Sequence, residues 1–200
     1  MRLLALIVVS LLVSCKNEKS PINPEEISGK YIKDIDHYVI NFSDGSSYDM
    51  NEKETQKIYY LVRHAEKDTV PKSDPALSES GLERSYRLAE IFEHTQLEAI
   101  FSTMTTRTLF TVDSLADLKK MTIMPYETKN FKEINESINN SLNTHRVLVV
   151  GHSNTTPVLA NHLYGEDYYT STFQEDEYDN LVIILEDNDK NKTILPLKFK

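Results

Sequence analysis

Tyr59-Tyr60-Leu61-Val62-Arg63-His64-Ala65-Glu66 joins an apolar run to an abrupt pair of basic side chains. The run, from Ile58 to Val62, has the composition of a strand covered on both faces. Arg63 and His64 then stand at a strand's carboxyl end, the place where open α/β sheets bind ligands, because side chains leave the sheet there into a crevice rather than the core. A neutral imidazole can attack phosphorus, and a guanidinium grips phosphate oxygens with two prongs. An Arg-His pair alone is common on protein surfaces, so the reading needs a second half elsewhere in the chain.

That second half is Val147-Val150 followed at once by Gly151-His152-Ser153-Asn154. Glycine lets the backbone turn sharply, Thr155 and Thr156 can cap a helix with Pro157 in its first turn, and Gly165 marks its end. A third apolar run, Ala99-Ile100-Phe101, ends at Ser102-Thr103 and leads into a helix expected from about 105 to 118, with Leu109, Val112, Leu115 and Ala116 inward. Arg107 falls in its first turn, where a cation opposes the helix dipole by some tenths of a kcal/mol up to about one. An anion at that helix end removes the objection, since backbone N–H groups and the guanidinium would both point at it. If the three strands are parallel neighbours, two imidazoles and two guanidiniums converge on one pocket.

Around this centre, Ser78 reads as the cap of a helix whose core stripe is Leu82, Tyr86, Ala89 and Phe92. Residues 38–50, with Asp44-Gly45 at the bend, read as a hairpin added before the main sheet. Thr122-Ile123-Met124-Pro125 is a short strand, and residues 126–143 carry a weak helical pattern in Phe131, Ile134 and Ile138. An acidic loop, 166–179, leads into two last strands, 181–185 and 193–199, read as a terminal hairpin at the sheet edge. The expected fold is a three-layer α/β/α domain with a mostly parallel central sheet, that edge hairpin and the small N-terminal β-hairpin addition.

The start of the chain is of another kind. Arg2 precedes an apolar run from Leu3 to Val13, interrupted only by Ser10, that is too short to span a bilayer comfortably and reads as a secretory signal. Leu12-Val13-Ser14-Cys15 resembles the lipobox of bacterial lipoproteins, in which the cysteine is lipidated. Cys15 is the single cysteine of the sequence, which rules out an intrachain disulfide or multi-thiolate metal site. The expected organisation is a signal peptide over 1–15, a polar tether over 16–30, the hairpin over 31–56 and the main domain over 57–200. The mature protein is expected outside the cytoplasm, on the periplasmic or outer-membrane side, with its membrane contact made by lipid on Cys15. A net charge of -9 argues against a nucleic-acid surface.

Four segments, in this order, resemble the histidine phosphatase superfamily, also called phosphoglycerate mutase-like: Tyr60 to Lys67, Leu77 to Leu82, Phe101-Ser102-Thr103 with Arg107-Thr108, and Val149 to Thr155. The resemblance runs from about Lys57 to Leu185. Ala65 departs from the family's common glycine, a variant similar to the small phosphatase branch. The resemblance implies that His64 is the nucleophile that becomes phosphorylated, that Arg63, Arg107 and His152 bind the phosphoryl oxygens, and that no metal or cofactor takes part. Positioning and positive charge carry the rate in such transfers, and flanking cations favour the neutral His64 that attack requires. The family commonly supplies an acid from a loop after the third strand. Glu127 is the candidate here, with Glu133, Glu175 and Asp176 as rivals, and the small branch can lack the acid altogether. His37, His94, His145 and His162 show no metal-ligand spacing, and Lys67 and Lys72 read as solvated loop residues. The implied function is hydrolysis of a small phosphorylated substrate or phosphoprotein through a phosphohistidine. The alternative is a non-catalytic phosphate-binding or interaction module, against which the retained His64 argues; a phosphomutase is a third reading, disfavoured because it needs a pocket closed to water.

Overall fold

The computed structural model describes residues 23–129, 131, 136 and 145–200. In chain order these form α1 (Pro24–Ile27), β1 (Tyr31–Asp36), β2 (Val39–Phe42), β3 (Ser47–Asp49), β4 (Thr55–Arg63), α2 (Glu79–Ile91), β5 (Ala99–Ser102), α3 (Thr106–Lys119), β6 (Ile123–Pro125), β7 (Arg146–Gly151), α4 (Thr156–Tyr164), β8 (Asn180–Asp187) and β9 (Lys192–Phe199). All nine strands belong to one sheet, ordered β3-β2-β1-β9-β8-β4-β7-β5-β6. The apolar runs at 58–62, 99–101 and 147–150 become β4, β5 and β7, which are parallel neighbours. Among the described residues no helix is long and apolar enough to cross a membrane. Cys15 and its lipobox, Glu133, and most of the weak helical pattern at 126–143 lie outside the described residues.

Several expectations are corrected. The sheet is parallel only in the block β4-β7-β5-β6, besides the two-residue pairing of β1 with β9; every other pairing is antiparallel. The β8-β9 hairpin is not at the edge, because β1 pairs with the outer side of β9 and carries β2 and β3 beyond it. The N-terminal hairpin is therefore continuous with the main sheet, and its bend at Gly45 takes φ 84°, as expected of that turn. The strand that makes this junction, β1, gave no clear signal, since Tyr31-Ile32-Lys33-Asp34-Ile35-Asp36 buries only Ile32 and Ile35, three residues apart. A bulge between Ile32 and Asp34 restores the two to one face. The end of the expected tether is also structured: Asn23 caps α1, and Ile27 is buried in the core.

Alternate residues of β4 serve two different layers, as a period of two requires. Ile58, Tyr60 and Val62 join Leu88, Phe92, Val112 and Leu115 of the α2–α3 layer, while Tyr59 and Leu61 join Leu159, Ala160 and Leu163 of α4. This is the expected three-layer arrangement. The inward face of α2 is only partly the expected one: Ala89 and Phe92 of the expected stripe are buried, but its first two residues are not. Gly81, Ser85, Leu88, Ala89 and Ile91 are buried, whereas Leu82 and Tyr86 are exposed. Leu82 and Tyr86 are turned outward because the first turn of the helix is pressed against the chain following His64. A Cβ on Gly81 would lie 2.0 Å from the Glu66 carbonyl oxygen, and only glycine permits that approach.

Candidate active site

Register explains why the two histidines meet. In the β4–β7 ladder Arg63 stands opposite Gly151, so His64 and His152 leave adjacent parallel strands at the same level. The His64 N–H donates to the Gly151 carbonyl at 2.9 Å, and the two imidazole centroids are 5.5 Å apart. Gly151 is needed for a local reason: a Cβ there would come within 2.8 Å of the Tyr126 hydroxyl and 3.0 Å of the Thr155 and Thr156 hydroxyls. On the far side of β7, β5 ends at Ser102 and delivers Thr103, then α3 with Arg107 in its first turn. One Arg107 terminal nitrogen is 3.4 Å from His152 Nδ1. The two histidines and two arginines singled out in the sequence are thus gathered in one place.

The hydrogen bonds set the tautomers. His64 Nδ1 lies 2.8 Å from the Ala65 carbonyl, which can only accept, so the proton sits on Nδ1 and the Nε2 lone pair is left for another partner. At His152 the order is reversed. Arginine can only donate, so Nδ1 accepts from Arg107 and Nε2–H donates to the Thr103 hydroxyl at 3.0 Å. The Thr103 hydroxyl donates to that of Thr108, which donates in turn to the backbone carbonyl of Thr103. Both rings are held neutral: burial, opposed by the Ala65 hydrogen bond and aided by Arg63, Arg107 and His152, lowers the His64 pKa to about 3. Burial, then Arg107 and Arg63, lowers that of His152 to about 4. The neutral His64 expected from flanking cations is therefore owed first to desolvation, and His152, neutral as well, adds no positive charge.

The arginines are held differently. Arg63 is 1% exposed; its Nη1 donates to the carbonyls of Gln174, Glu175 and Glu177 at 2.7, 3.2 and 3.2 Å, and its Nη2 lies 3.5 Å from a Glu175 carboxylate oxygen. Arg107 lies 3.6 Å from Asp74, whose carboxylate accepts from the Thr106 N–H at 3.0 Å and from its hydroxyl at 2.6 Å. Asp74 is the anion that the first turn of α3 called for: Thr105, the N-cap, makes no side-chain cap bond, and Asp74 caps the helix from the loop after His64. The Thr106 hydroxyl, opposed by some desolvation, holds the Asp74 carboxyl below its usual range. Among the described residues the Nε atoms of Arg63 and Arg107 are both buried without a hydrogen-bond partner. A buried cationic donor left unpaired is costly, and an oxyanion between the two side chains would satisfy both.

Of the acid candidates, Glu127 is exposed two residues beyond β6, at the carboxyl end of the sheet. Glu175 stands beside Arg63, Asp176 is exposed, and Glu133 lies outside the described residues. His37 pairs with Asp36 on the surface and His145 Nδ1 meets the Gln56 carbonyl, so neither belongs to the site. Sequence reasoning missed Asp74 and Tyr178. The Tyr178 ring centroid is 4.1 Å from Arg63 Cζ and 5.9 Å from that of His64. An aspartate before Pro75 and a tyrosine among acidic residues are ordinary loop residues until the fold brings them across 33 and 114 positions of chain to Arg107 and His64.

Residues 59–138 match the family model described as histidine phosphatase superfamily (branch 1). No curated protein sequence matches the chain. Solved structures share the fold at low identity. The protein histidine phosphatase SixA complexed with tungstate aligns at 16% identity with a TM-score of 0.54, over 68% of this chain and 93% of its own. A mycobacterial glucosyl-3-phosphoglycerate phosphatase aligns at 11% and 0.58, over 72% and 99%. A phosphoserine phosphatase from Entamoeba histolytica with 3-phosphoglyceric acid aligns at 12% and 0.55, over 69% and 94%. Residues 59–138, from within β4 to beyond β6, are thus similar to the histidine phosphatase superfamily, and the solved structures share the fold of the chain.

Proposed function

We propose that the protein is a phosphatase that hydrolyses a phosphomonoester or phosphoprotein through a phosphohistidine on His64. The observation that carries the reading is the His64 Nδ1–H bond to the Ala65 carbonyl, which leaves Nε2 unprotonated beside two arginines whose Nε–H donors lack partners. In the first step Nε2 attacks phosphorus and the bond to the leaving oxygen breaks. That oxygen takes a proton from water or from a carboxylic acid, for which Glu127 and Glu175 are the candidates. In the second step water attacks phosphorus, the N–P bond breaks, and inorganic phosphate leaves with His64 restored. Arg63 and Arg107 bind the phosphoryl oxygens, His152 joins them when its Nδ1 takes up a proton, and donors of this kind typically contribute on the order of a hundredfold to a thousandfold each. The test is release of p-nitrophenol from p-nitrophenyl phosphate by the domain and by a His64→Ala variant, with acid-labile label on the protein located by mass spectrometry. Equal rates from the two proteins would refute the reading. The known substrates of the structural neighbours differ from one another, and the fold does not choose among them.

We further propose that the domain is held at a membrane outside the cytoplasm by lipid on Cys15, on the strength of Leu12-Val13-Ser14-Cys15. Incorporation of an alkyne-tagged fatty acid into the full chain, and its loss in Cys15→Ala, is the expected result. An unlabelled full chain in a lipoprotein-processing host would dispose of it.

A further inference from the structure

The segment from Phe173 to Asp179 is built as a strap over Arg63. At one end the Phe173 N–H donates to the Ser153 carbonyl at 3.0 Å, and the Phe173 side chain is buried against the α4 layer. At the other, Asp179 pairs with Lys198 at 2.9 Å and accepts from the Tyr31 hydroxyl at 3.3 Å, while its carbonyl accepts from the Phe199 N–H. Between these anchors the Gln174 N–H donates to the Glu177 carboxylate and the Glu177 N–H returns to the Gln174 carbonyl. The turn so formed aims three carbonyls at Arg63 Nη1. Tyr178 completes it by laying its ring against the guanidinium, with Cζ 4.1 Å from the centroid.

We propose that Tyr178 is a positioning residue for phosphate binding: its ring, with the 174–177 carbonyls, holds the Arg63 guanidinium so that the buried Nε–H edge is kept for a phosphoryl oxygen. This rests on the phosphatase reading. A guanidinium on a four-bond stem has many orientations, and a planar cation is restrained by the quadrupole of an aromatic face more than by a point contact. The carbonyls take Nη1 and Nη2 meets only the Glu175 carboxylate at 3.5 Å, so the Nε–H is the donor without a partner among the described residues. The same ring lies 5.9 Å from His64, which makes the strap a wall of the site as well as a clamp.

The test uses the domain as it stands, with inorganic phosphate as the probe and p-nitrophenyl phosphate as the substrate. Tyr178→Leu removes the aromatic face and is expected to weaken phosphate binding about tenfold and to lower kcat/KM by at least as much. Tyr178→Phe keeps the face and is expected to stay within about twofold of wild type in both. Unchanged phosphate affinity in Tyr178→Leu, or equal impairment of the Phe and Leu variants, would overturn the assignment while wild-type turnover and its loss in His64→Ala leave the phosphatase reading intact. A measurement on the wild-type protein guards against a misfolded variant. Inorganic phosphate should shift the Arg63 Nε–H resonance in a nitrogen-15 spectrum, and a resonance unmoved at saturating phosphate overturns the proposal. A wild-type protein that neither binds phosphate nor turns over substrate sinks both readings together.

Discussion

Replacing Gly81 by alanine tests how His64 is held from behind. The added Cβ would sit 2.0 Å from the Glu66 carbonyl oxygen and 2.9 Å from its carbon, so one backbone must retreat by about 1 Å before the contact is tolerable. Rotation of a side chain cannot relieve it. The retreat disturbs the bond from the Ser78 N–H to that same oxygen, at 2.9 Å, and the paired contacts of Arg84 with the Glu66 carboxylate. Overpacking costs about 1–3 kcal/mol and a weakened hydrogen bond about 0.5–1.5. The gain of alanine over glycine in a helix offsets about 1. The net expectation is a loss of about 2 kcal/mol, or a fall in Tm of about 4–8 °C for a domain of this size. Glu66 is two residues from His64, and a displacement of about 1 Å near reacting groups can cost on the order of a hundredfold in rate. Thermal unfolding followed by circular dichroism, with p-nitrophenyl phosphate hydrolysis measured well below Tm, reads both effects. Glu83→Ala, exposed on the same helix, supplies the control and should change stability by no more than about 0.5 kcal/mol. A Gly81→Ala protein as stable and as active as that control would refute the close-approach argument.

Stability should fall on acidification before the carboxylates titrate. His64 and His152 are held to about 3 and about 4, below the roughly 6.5 of an unfolded chain, so between those values the unfolded state binds protons that the native site refuses. The contribution is fully present above pH ~6.5 and is lost as the pH falls toward the native values. Urea midpoints at neutral and mildly acidic pH should drop less in His64→Gln than in wild type, and parallel drops would contradict the assignment. Asp74→Asn removes the charge that caps α3 and faces Arg107; KM for p-nitrophenyl phosphate should change by about threefold to tenfold, against no change if the Asp74 contact is incidental. Leu88→Ala should cost about 2–5 kcal/mol, whereas Tyr86→Ser should stay within about 0.5. Urea denaturation of the two variants decides whether the inward face of α2 is the one described, since the stripe read from periodicity demands the opposite for Tyr86.

The parallel strands that carry the candidate site were legible because burial on both faces leaves a strong mark. Ile58 to Val62 and Val147 to Val150 can be little else, and an arginine, a glycine and two histidines at their ends stand out against apolar neighbours. The Ser78 cap and the αL end of the last helix at Gly165 were legible for the same reason, that local backbone geometry demands a particular residue type. The inward face of α2 was not. Its period was correct, but Leu82 and Gly81 differ by a rotation that only the Glu66 carbonyl decides, and glycine carries no hydrophobic signal.

By itself, then, the sequence determined the parallel strands, the residues at their ends and the chemistry those residues are able to perform, since each depends on composition within a few positions. Tertiary structure alone decided the sheet order beyond that block, the Asp74 cap on α3, the strap and Tyr178 against Arg63, and the neutral state of both histidines. Each of these is a contact or a desolvation between segments far apart in the chain, and such terms have no value until the backbone has closed around them.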